Sequence, residues 1–176
     1  MFDKITVIGC GLIGSSILRV VEKKNIAKEI NAYDKSKEVN SYLSKNFKFK
    51  ICNNITEAVN NADLVIISSP LSSYKEILSQ IKSSLKNGSI LTDTGSAKKE
   101  INKIVKESSL SDVSWIASHP IAGTEYSGPE SGFAELFENR WCILSADENI
   151  DKKEIEKLEK FWTDLGSKIK VMSFEH

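Results

Sequence analysis

The 176-residue sequence has little cysteine, proline and histidine, with three, three and two residues respectively. The cysteines are Cys10, Cys52 and Cys142, an odd number at unrelated spacings. They therefore predict no disulfide framework and no metal site, and they favour a reducing compartment, the cytoplasm. The two histidines, His119 and His176, leave few candidates for proton transfer near neutral pH.

The sequence also has no excess of either sign of charge and no long apolar run. The 24 Lys and Arg residues balance the 24 Asp and Glu residues, so the formal net charge is zero, and no basic stripe with interleaved aromatic residues occurs. We therefore expect no nucleic-acid partner. Apolar runs such as residues 64–67 are far too short to cross a bilayer, so no membrane partner is expected. A strand that begins so close to Met1 predicts that no secretory leader precedes it.

The apolar residues that are present alternate between two patterns. Short continuous runs typical of buried parallel strands, such as 5–8 and 62–68, are followed by segments with helical spacing, such as 71–85. This alternation predicts an α/β protein with a doubly wound, mostly parallel sheet. A chain of this length is expected to form one domain, which we assign to residues 1–172.

The alternation stops after a strand predicted over 113–117. Residues 118–139 are rich in Gly, Ser and Glu, and so long an irregular segment in a small domain is typical of a functional loop. Beyond it we expect a strand over 140–146, a helix that begins with a capping box formed by Asp151 and Glu154, and a last strand over 168–172.

A glycine-rich turn follows the first predicted strand. Gly9, Gly11 and Gly14 have the spacing G-x-G-x-x-G and lead into a helical pattern through Leu12 and Ile13. In this context the first glycine permits a tight turn, the second lets the backbone approach a diphosphate, and the third lets the helix pack closely on the strand. Unpaired N–H groups and the helix dipole then favour a bound phosphate.

An acid in the expected place accompanies this turn. Asp34 ends the second predicted strand, twenty residues after Gly14. A carboxylate there can accept two hydrogen bonds from an adenosine ribose, and its charge repels a 2′-phosphate. The sequence therefore predicts a dinucleotide site that takes NAD as its cofactor rather than NADP, a preference that Lys35 weakens. The alternative is a turn that binds no phosphate, with Asp34 capping the next helix.

Polar segments follow three further strands, at the sheet edge where such folds bind ligands. They are Ser68-Ser69-Pro70, Asp93-Thr94-Gly95-Ser96-Ala97-Lys98 and Ser118-His119-Pro120-Ile121-Ala122-Gly123-Thr124-Glu125.

The residue types in these segments leave two interpretations open. His119 could accept a proton from a substrate hydroxyl that loses a hydride, or it could be a loop residue that only hydrogen-bonds its own turn. Ser96 could cap the helix predicted over 97–107, contact the substrate, or do both. Glu125 is most simply an exposed surface acid, and Lys98 and Lys99 are most simply the exposed start of that helix.

Segments 9–14, 93–98 and 118–125, with Gly128 and Leu136-Phe137 after them, resemble the prephenate/arogenate (cyclohexadienyl) dehydrogenase family of tyrosine biosynthesis. The resemblance covers the whole chain but only the first half of the family, whose members continue into an all-helical domain. It implies a Rossmann-type NAD-binding domain, with 173–176 as the start of the junction to a helical dimerisation domain absent from this chain. The chain would then be a fragment with poor activity of its own, which we favour, or a natural stand-alone domain with lost or altered activity. A homodimer is implied only for the longer form.

The same resemblance implies an NAD-dependent oxidative decarboxylation of prephenate or arogenate, small molecules between which the sequence does not choose. His119 would accept the hydrogen bond of the ring hydroxyl, Ser96 would orient both, and Thr124 and Glu125 would complete the substrate site. The implied cofactor-binding residues are Gly9, Gly11, Leu12, Ile13, Gly14, Asp34, Lys35, Ser68, Ser69, Pro70 and Gly95.

Two other functions fit the same cofactor domain. A β-hydroxyacid-type or imine-reducing dehydrogenase would take its catalytic groups from elsewhere and would not need His119. A non-catalytic NAD-binding module would need neither His119 nor Ser96.

Overall fold

A computed structural model of the protein describes residues 2–174. Its strands are β1 (Lys4–Ile8), β2 (Glu29–Tyr33), β3 (Lys50–Ile51), β4 (Leu64–Ile67), β5 (Ile90–Asp93), β6 (Ser114–Pro120), β7 (Trp141–Ala146) and β8 (Lys168–Met172). Its α-helices are α1 (Leu12–Lys23), α2 (Lys37–Asn46), α3 (Ile55–Val59), α4 (Tyr74–Ile81), α5 (Lys98–Glu107) and α6 (Lys152–Asp164). Short 3₁₀ turns occupy Leu71–Ser73, Pro129–Ser131 and Ala134–Phe137.

The strands of residues 2–174 form one sheet in the order β3-β2-β1-β4-β5-β6-β7-β8. Neighbouring strands are parallel except for β6 and β7, which confirms the mostly parallel α/β sheet that the sequence predicts. The chain first builds outward from β1 to β3 and then returns to place β4 on the other side of β1. The strand order therefore reverses between β1 and β4, and a crevice opens there at the carboxyl ends of the strands.

Apolar side chains cover both faces of the sheet. One cluster joins α1 and α6 to the sheet, and the other joins α3, α4 and α5 to it. Trp162 of α6 is fully buried in the first cluster, with its ring edge-on to Phe137 and Phe161 at centroid distances of 5.4 and 5.6 Å. The central strands are inaccessible to water on both faces, which explains the continuous apolar runs in their sequences.

Strand β6 is longer than the sequence predicts. It continues three residues past 117, because β7 runs antiparallel to it and pairs with its second half, His119 opposite Ile143 and Pro120 opposite Cys142. The expectation that His119 lies in a loop after the strand is therefore wrong, and this residue belongs to a hydrogen-bonded ladder. β5 pairs with β6 only as far as Trp115, so the end of β6 extends beyond its parallel neighbour.

Two helix ends also differ from the prediction. Helix α4 ends at Ile81 instead of continuing to residue 85. Asp151 caps α6 by accepting the N–H of Lys153 at 2.9 Å, but Glu154 forms an ion pair with Lys157 at 2.9 Å, so the predicted reciprocal capping box is wrong.

Part of the irregular segment 118–139 packs against α1. The guanidinium of Arg19 donates to the carbonyl of Pro129 at 2.7 Å, and the Ser16 hydroxyl accepts the N–H of Phe133 at 3.1 Å. Leu136 and Phe137 are buried in the cluster under this segment. This part of the segment thus closes the core over α1.

The margins of the sheet are a two-residue strand, β3, and β8, which exposes Lys168 and Lys170. Among the helices of residues 2–174, none combines the length and apolar content needed to cross a membrane. The predicted junction reaches residues 175 and 176, including His176, which lie outside the described part of the chain.

Replacement of Gly14 tests the packing of α1 on the first turn. A Cβ added at Gly14 would lie 2.0 Å from the carbonyl oxygen of Gly9. We expect Gly14→Ala to lower the free energy of unfolding by about 1–3 kcal/mol, because overpacking costs more than the gain in helix propensity. Urea unfolding followed by circular dichroism measures the change. Gly123→Ala is the control, because a Cβ there meets no atom within 4 Å; equal stability of both variants would contradict this packing.

Candidate functional site

A cavity of about 290 Å³ opens in the crevice between β1 and β4. It brings together the first glycine turn, the end of β2, the residues after β4, and one side of α4. Its lining residues are Ile8, Gly9, Cys10, Gly11, Tyr33, Asp34, Lys35, Ile55, Ser68, Ser69, Pro70, Ser73, Glu76, Ile77 and Gln80.

The glycines of the first turn have distinct surroundings. Gly9 has φ of +88°, and a Cβ there would lie 2.4 Å from the carbonyl oxygen of Ser68, so this turn packs directly on the end of β4. A Cβ on Gly11 would meet no atom within 4 Å, so the backbone of Gly11 faces open space in the cavity. Gly14 is buried against Gly9, and neither Gly14 nor the predicted residues Leu12 and Ile13 line the cavity.

The N-terminus of α1 has the character of an anion site. Helix α1 begins at Leu12 directly after Gly11, no side chain caps it, and its first turn has no acidic residue. The first N–H groups of a helix have no partners within the helix, and the dipole gives this end partial positive charge. The backbone of Leu12 and Ile13 can therefore hold a diphosphate that enters past Gly11.

Asp34 lies at the end of β2, where its carboxylate is held in place by the backbone. Oδ2 accepts the N–H of Cys10 and Oδ1 accepts the N–H of Ser36, both at 2.8 Å. The Asn40 side chain donates to the Asp34 carbonyl at 2.7 Å. Ser36, whose hydroxyl accepts the N–H of Val39, caps α2. The alternative in which Asp34 caps that helix is therefore wrong.

The first cavity also contains residues that the sequence analysis missed. Ser73, Glu76, Ile77 and Gln80 line it from the 3₁₀ turn and α4. These four positions are successively three, one and three residues apart, a spacing that places them on one face of a helix. This face lies beside the apolar face that packs on the sheet. A helix that starts directly after the Ser-Ser-Pro strand end could have been expected to present this face to the crevice.

A second cavity, of about 370 Å³, opens where β6 extends past β5. It brings Ser96 and His119 together, on the two strand ends that the sequence singled out. Its lining residues are Ser96, Ala97, Lys98, Lys99, Glu100, His119, Ile143, Ser145, Met172, Ser173 and Phe174.

Three residues of the expected site, Thr124, Glu125 and Gly95, lie outside the two cavities. Thr124 and Glu125 are exposed on the loop after β6 and do not line the second cavity; the Thr124 hydroxyl accepts the N–H of Tyr126 at 3.1 Å. Gly95 lines neither cavity, and a Cβ there would lie 2.5 Å from Ile101. Ser96 does not cap α5, whose N-terminus at Ala97 has no side-chain cap.

His119 is half-buried beside charged groups. Burial lowers its pKa below the ordinary value of 6.5, the positive charge of Lys98 lowers it further, and the negative charge of Asp93 opposes them. The imidazole is therefore neutral at pH 7, the form that accepts a proton.

A buried ion pair lies beneath His119. The Asp93 carboxylate is fully buried and accepts Lys98 Nζ at 2.7 and 2.8 Å, the N–H of Ser118 at 3.1 Å, the N–H of Gly95 at 3.0 Å and the hydroxyl of Tyr74 at 3.3 Å. Burial raises the pKa of Asp93, while Lys98 and the two N–H donors oppose that rise. The Lys98 side chain is 19% exposed, so the expectation of an exposed lysine is wrong.

Comparison with known proteins identifies relatives of this chain. Residues 17–171 match the family model described as "Prephenate dehydrogenase, nucleotide-binding domain". A cyclohexadienyl dehydrogenase from Zymomonas mobilis is 34% identical over 177 residues, which cover 100% of this chain and 60% of that protein. The chain thus spans well under two thirds of the length of this relative.

Solved structures share the fold. Arogenate dehydrogenase from Synechocystis superposes with a TM-score of 0.86 at 22% identity, over 97% of this chain and 59% of that one. Prephenate dehydrogenase from Aquifex aeolicus, in complex with hydroxyphenyl propionate and NAD⁺, superposes with a TM-score of 0.82 at 24% identity, over 99% of this chain and 61% of that one. The family model, which covers most of the residues, settles the assignment: the chain belongs to the prephenate dehydrogenase family, as its nucleotide-binding domain.

Proposed function

We propose that this chain is the NAD-binding part of a dehydrogenase that oxidatively decarboxylates prephenate or arogenate in tyrosine biosynthesis, with His119 as its proton acceptor. The observation that carries the proposal is the second cavity, where a neutral imidazole and the Ser96 hydroxyl lie together at the edge of the sheet that also holds the dinucleotide crevice. The Aquifex aeolicus relative with bound NAD⁺ supports the choice of cofactor.

The first cavity fits a dinucleotide. The uncapped start of α1 would hold the diphosphate, and Gly11 leaves room for it. Each oxygen of Asp34 already accepts one backbone N–H, which orients the carboxylate and leaves a lone pair on each for a ribose hydroxyl. The same charge would repel the 2′-phosphate of NADP. Ser68, Ser69 and Pro70 would pass beneath the cofactor, with Lys35 at its ribose end.

Ser96 would orient the substrate hydroxyl, and His119 would accept its proton. NAD⁺, when bound, supplies the acceptor for the hydride that leaves the ring carbon bearing this hydroxyl. As the carbon becomes carbonyl-like its hydroxyl grows acidic, and the neutral imidazole of His119 takes the proton. Ser96 would orient the hydroxyl toward the imidazole. The ring carboxylate leaves as CO₂, and the electron pair of the broken C–C bond makes the ring aromatic and places negative charge on the ring oxygen. His119 then returns its proton to that oxygen, which gives the phenol and the neutral imidazole.

The remaining roles rest on the family motifs in segments 93–98 and 118–125. Thr124 and Glu125 would contact the substrate from the exposed loop after β6. Gly95 would contact the cofactor through its backbone, beside its packing contact with Ile101.

Cofactor preference can be tested by ligand-induced stabilisation. NAD⁺ should raise the melting temperature of the chain, and NADP⁺ at equal concentration should raise it much less, because Asp34 binds the free ribose hydroxyls and repels the phosphate. Asp34→Asn should reduce the difference between the two ligands. Glu29→Gln, at the opposite end of β2 and exposed, is the matched control and should keep it. Equal shifts by both nucleotides in the unaltered chain would remove the role assigned to Asp34.

The role of His119 can be tested by turnover in the full-length gene product. His119→Asn should lower kcat about 10²- to 10⁴-fold, the usual contribution of general base catalysis. Stabilisation by NAD⁺ should be unchanged, because His119 lies in the second cavity and not in the first. Unchanged turnover would exclude His119 as the proton acceptor and would favour a β-hydroxyacid-type or imine-reducing enzyme.

The pH dependence of kcat/KM should reflect the lowered pKa of His119. Only the neutral imidazole accepts a proton, so activity is lost on the acid side as His119 becomes protonated. Because burial and Lys98 lower this pKa, we expect the midpoint of the acid limb of kcat/KM to lie below 6.5, the ordinary value for histidine. A pH–rate profile in buffers of constant ionic strength measures the acid limb. A limb with its midpoint above pH 7 would contradict the assignment.

A further inference from the structure

Lys98 lines the second cavity, but its ammonium contacts acceptors of the protein itself. Its ammonium contacts Asp93 Oδ1 at 2.7 Å, Asp93 Oδ2 at 2.8 Å and the carbonyl oxygen of Ser118. These contacts direct the ammonium toward acceptors of the protein itself. Lys98 is therefore held in place by the fold, although its position in the cavity suggests a role in binding a substrate carboxylate.

The residue before His119 is held at each of its polar atoms. Asp93 accepts the N–H of Ser118, and Lys98 donates to its carbonyl oxygen. The Ser118 hydroxyl lies 2.6 Å from Thr92 Oγ1 and accepts Trp162 Nε1 at 3.0 Å. Ser118 is fully buried, so none of these contacts competes with water. The backbone that carries the imidazole is thus fixed by α5, β5 and α6 together.

Several charged or titratable groups surround His119. Lys98, Lys99 and Glu100 face the cavity from α5, Asp93 lies beneath it in β5, and Cys142 is buried in β7. Lys170 of β8 lies one strand further away, opposite Ile143. Among these groups Lys98 is largely buried, and its ammonium contacts the backbone of Ser118, the residue before His119. Lys99, by contrast, is exposed.

We propose that Lys98, held by Asp93, is a positioning residue for His119: it fixes the backbone that carries the imidazole and keeps a positive charge beside it, so that the imidazole remains a proton acceptor. The significance of this role for turnover rests on the proposed function. The charge of Lys98 acts on His119 in the required direction, because it lowers the pKa of the imidazole. Burial lowers the pKa of Lys98 itself, and the negative charge of Asp93 opposes that fall and favours the ammonium.

The test is a proton titration of the imidazole itself, observed by NMR in the 176-residue chain. The sequence has two histidines, so His119→Asn assigns both signals. Lys98→Met should increase the proton affinity of His119 about tenfold, because loss of a neighbouring charge commonly changes an affinity by this factor. Lys99→Met is the matched control: it removes the same charge from the same cavity, at an exposed position without the Asp93 contact, and should change the affinity less than twofold.

A second measurement uses the unaltered chain, in case Lys98→Met does not fold. The ¹³Cε signal of Lys98 should show a charged ammonium throughout the pH range in which His119 titrates. A Lys98 that loses its proton within that range would overturn the proposal. So would equal effects of Lys98→Met and Lys99→Met on His119.

Kinetics in the full-length gene product separate this proposal from the proposed function. Lys98→Met should move the acid limb of kcat/KM to higher pH, whereas a purely structural defect would lower activity equally at all pH values. If His119→Asn keeps full turnover while Lys98→Met still changes the proton affinity of His119, the proposed function fails and the positioning role stands. If His119→Asn abolishes turnover and Lys98→Met leaves the acid limb in place, the reverse holds.

Discussion

A carboxylate that is buried away from water needs hydrogen-bond donors from the protein. Asp93 takes its donors from separate elements of the fold and thereby joins them. It accepts five hydrogen bonds from four donor groups, which lie in α4, the β5–α5 turn, α5 and β6. An isolated buried charge would cost far more free energy than a small domain can supply, so these contacts form together with the native packing. The geometry around His119 depends on this constraint together with the β7 ladder, because the Asp93–Lys98 pair holds the residue before it and β7 pairs with His119 itself.

The nucleotide crevice depends on a different constraint, close approach of backbone to backbone. At Gly9 and Gly14 a side chain would collide with main-chain atoms, whereas at Gly11 it would enter open space. One motif therefore combines two glycines needed for packing with a third whose lack of a side chain keeps the space above the helix N-terminus open. Across the ends of β4 and β5, the Thr94 hydroxyl donates at 2.9 Å to that of Ser68, which lines the first cavity.

The sequence predicts the parts of this protein that follow from local patterns. The buried parallel strands, the glycine turn and the acid at the end of β2 all have signatures confined to a few residues, and the sheet and the family assignment were correct. The length of β6 was not predictable in the same way. His119 and Pro120 belong to a strand because β7, more than twenty residues later, pairs with them, and no local pattern carries that information.

The burial of Lys98 is a second feature, this time in the candidate site, that no local sequence pattern predicts. In the local sequence, Lys98 is a charged residue at the start of an amphipathic helix, and such residues are usually exposed. Its burial depends on Asp93, five residues earlier, and on the carbonyl of Ser118, twenty residues later. Only the folded chain brings these acceptors to one point. Ser73, Glu76 and Gln80, by contrast, lie at helical spacing and were open to prediction from the pattern alone.

The two margins of the sheet have a consequence for behaviour at high protein concentration. An unpaired strand edge is a template on which a second chain can assemble, and long, flat, apolar edges are the most hazardous. Here one edge is the two-residue β3, too short to template much pairing, and the other is β8, where Lys168 and Lys170 place like charges along the exposed strand. Repulsion between such edges opposes edge-to-edge aggregation, which gives a sheet this apolar at its centre a way to remain dispersed.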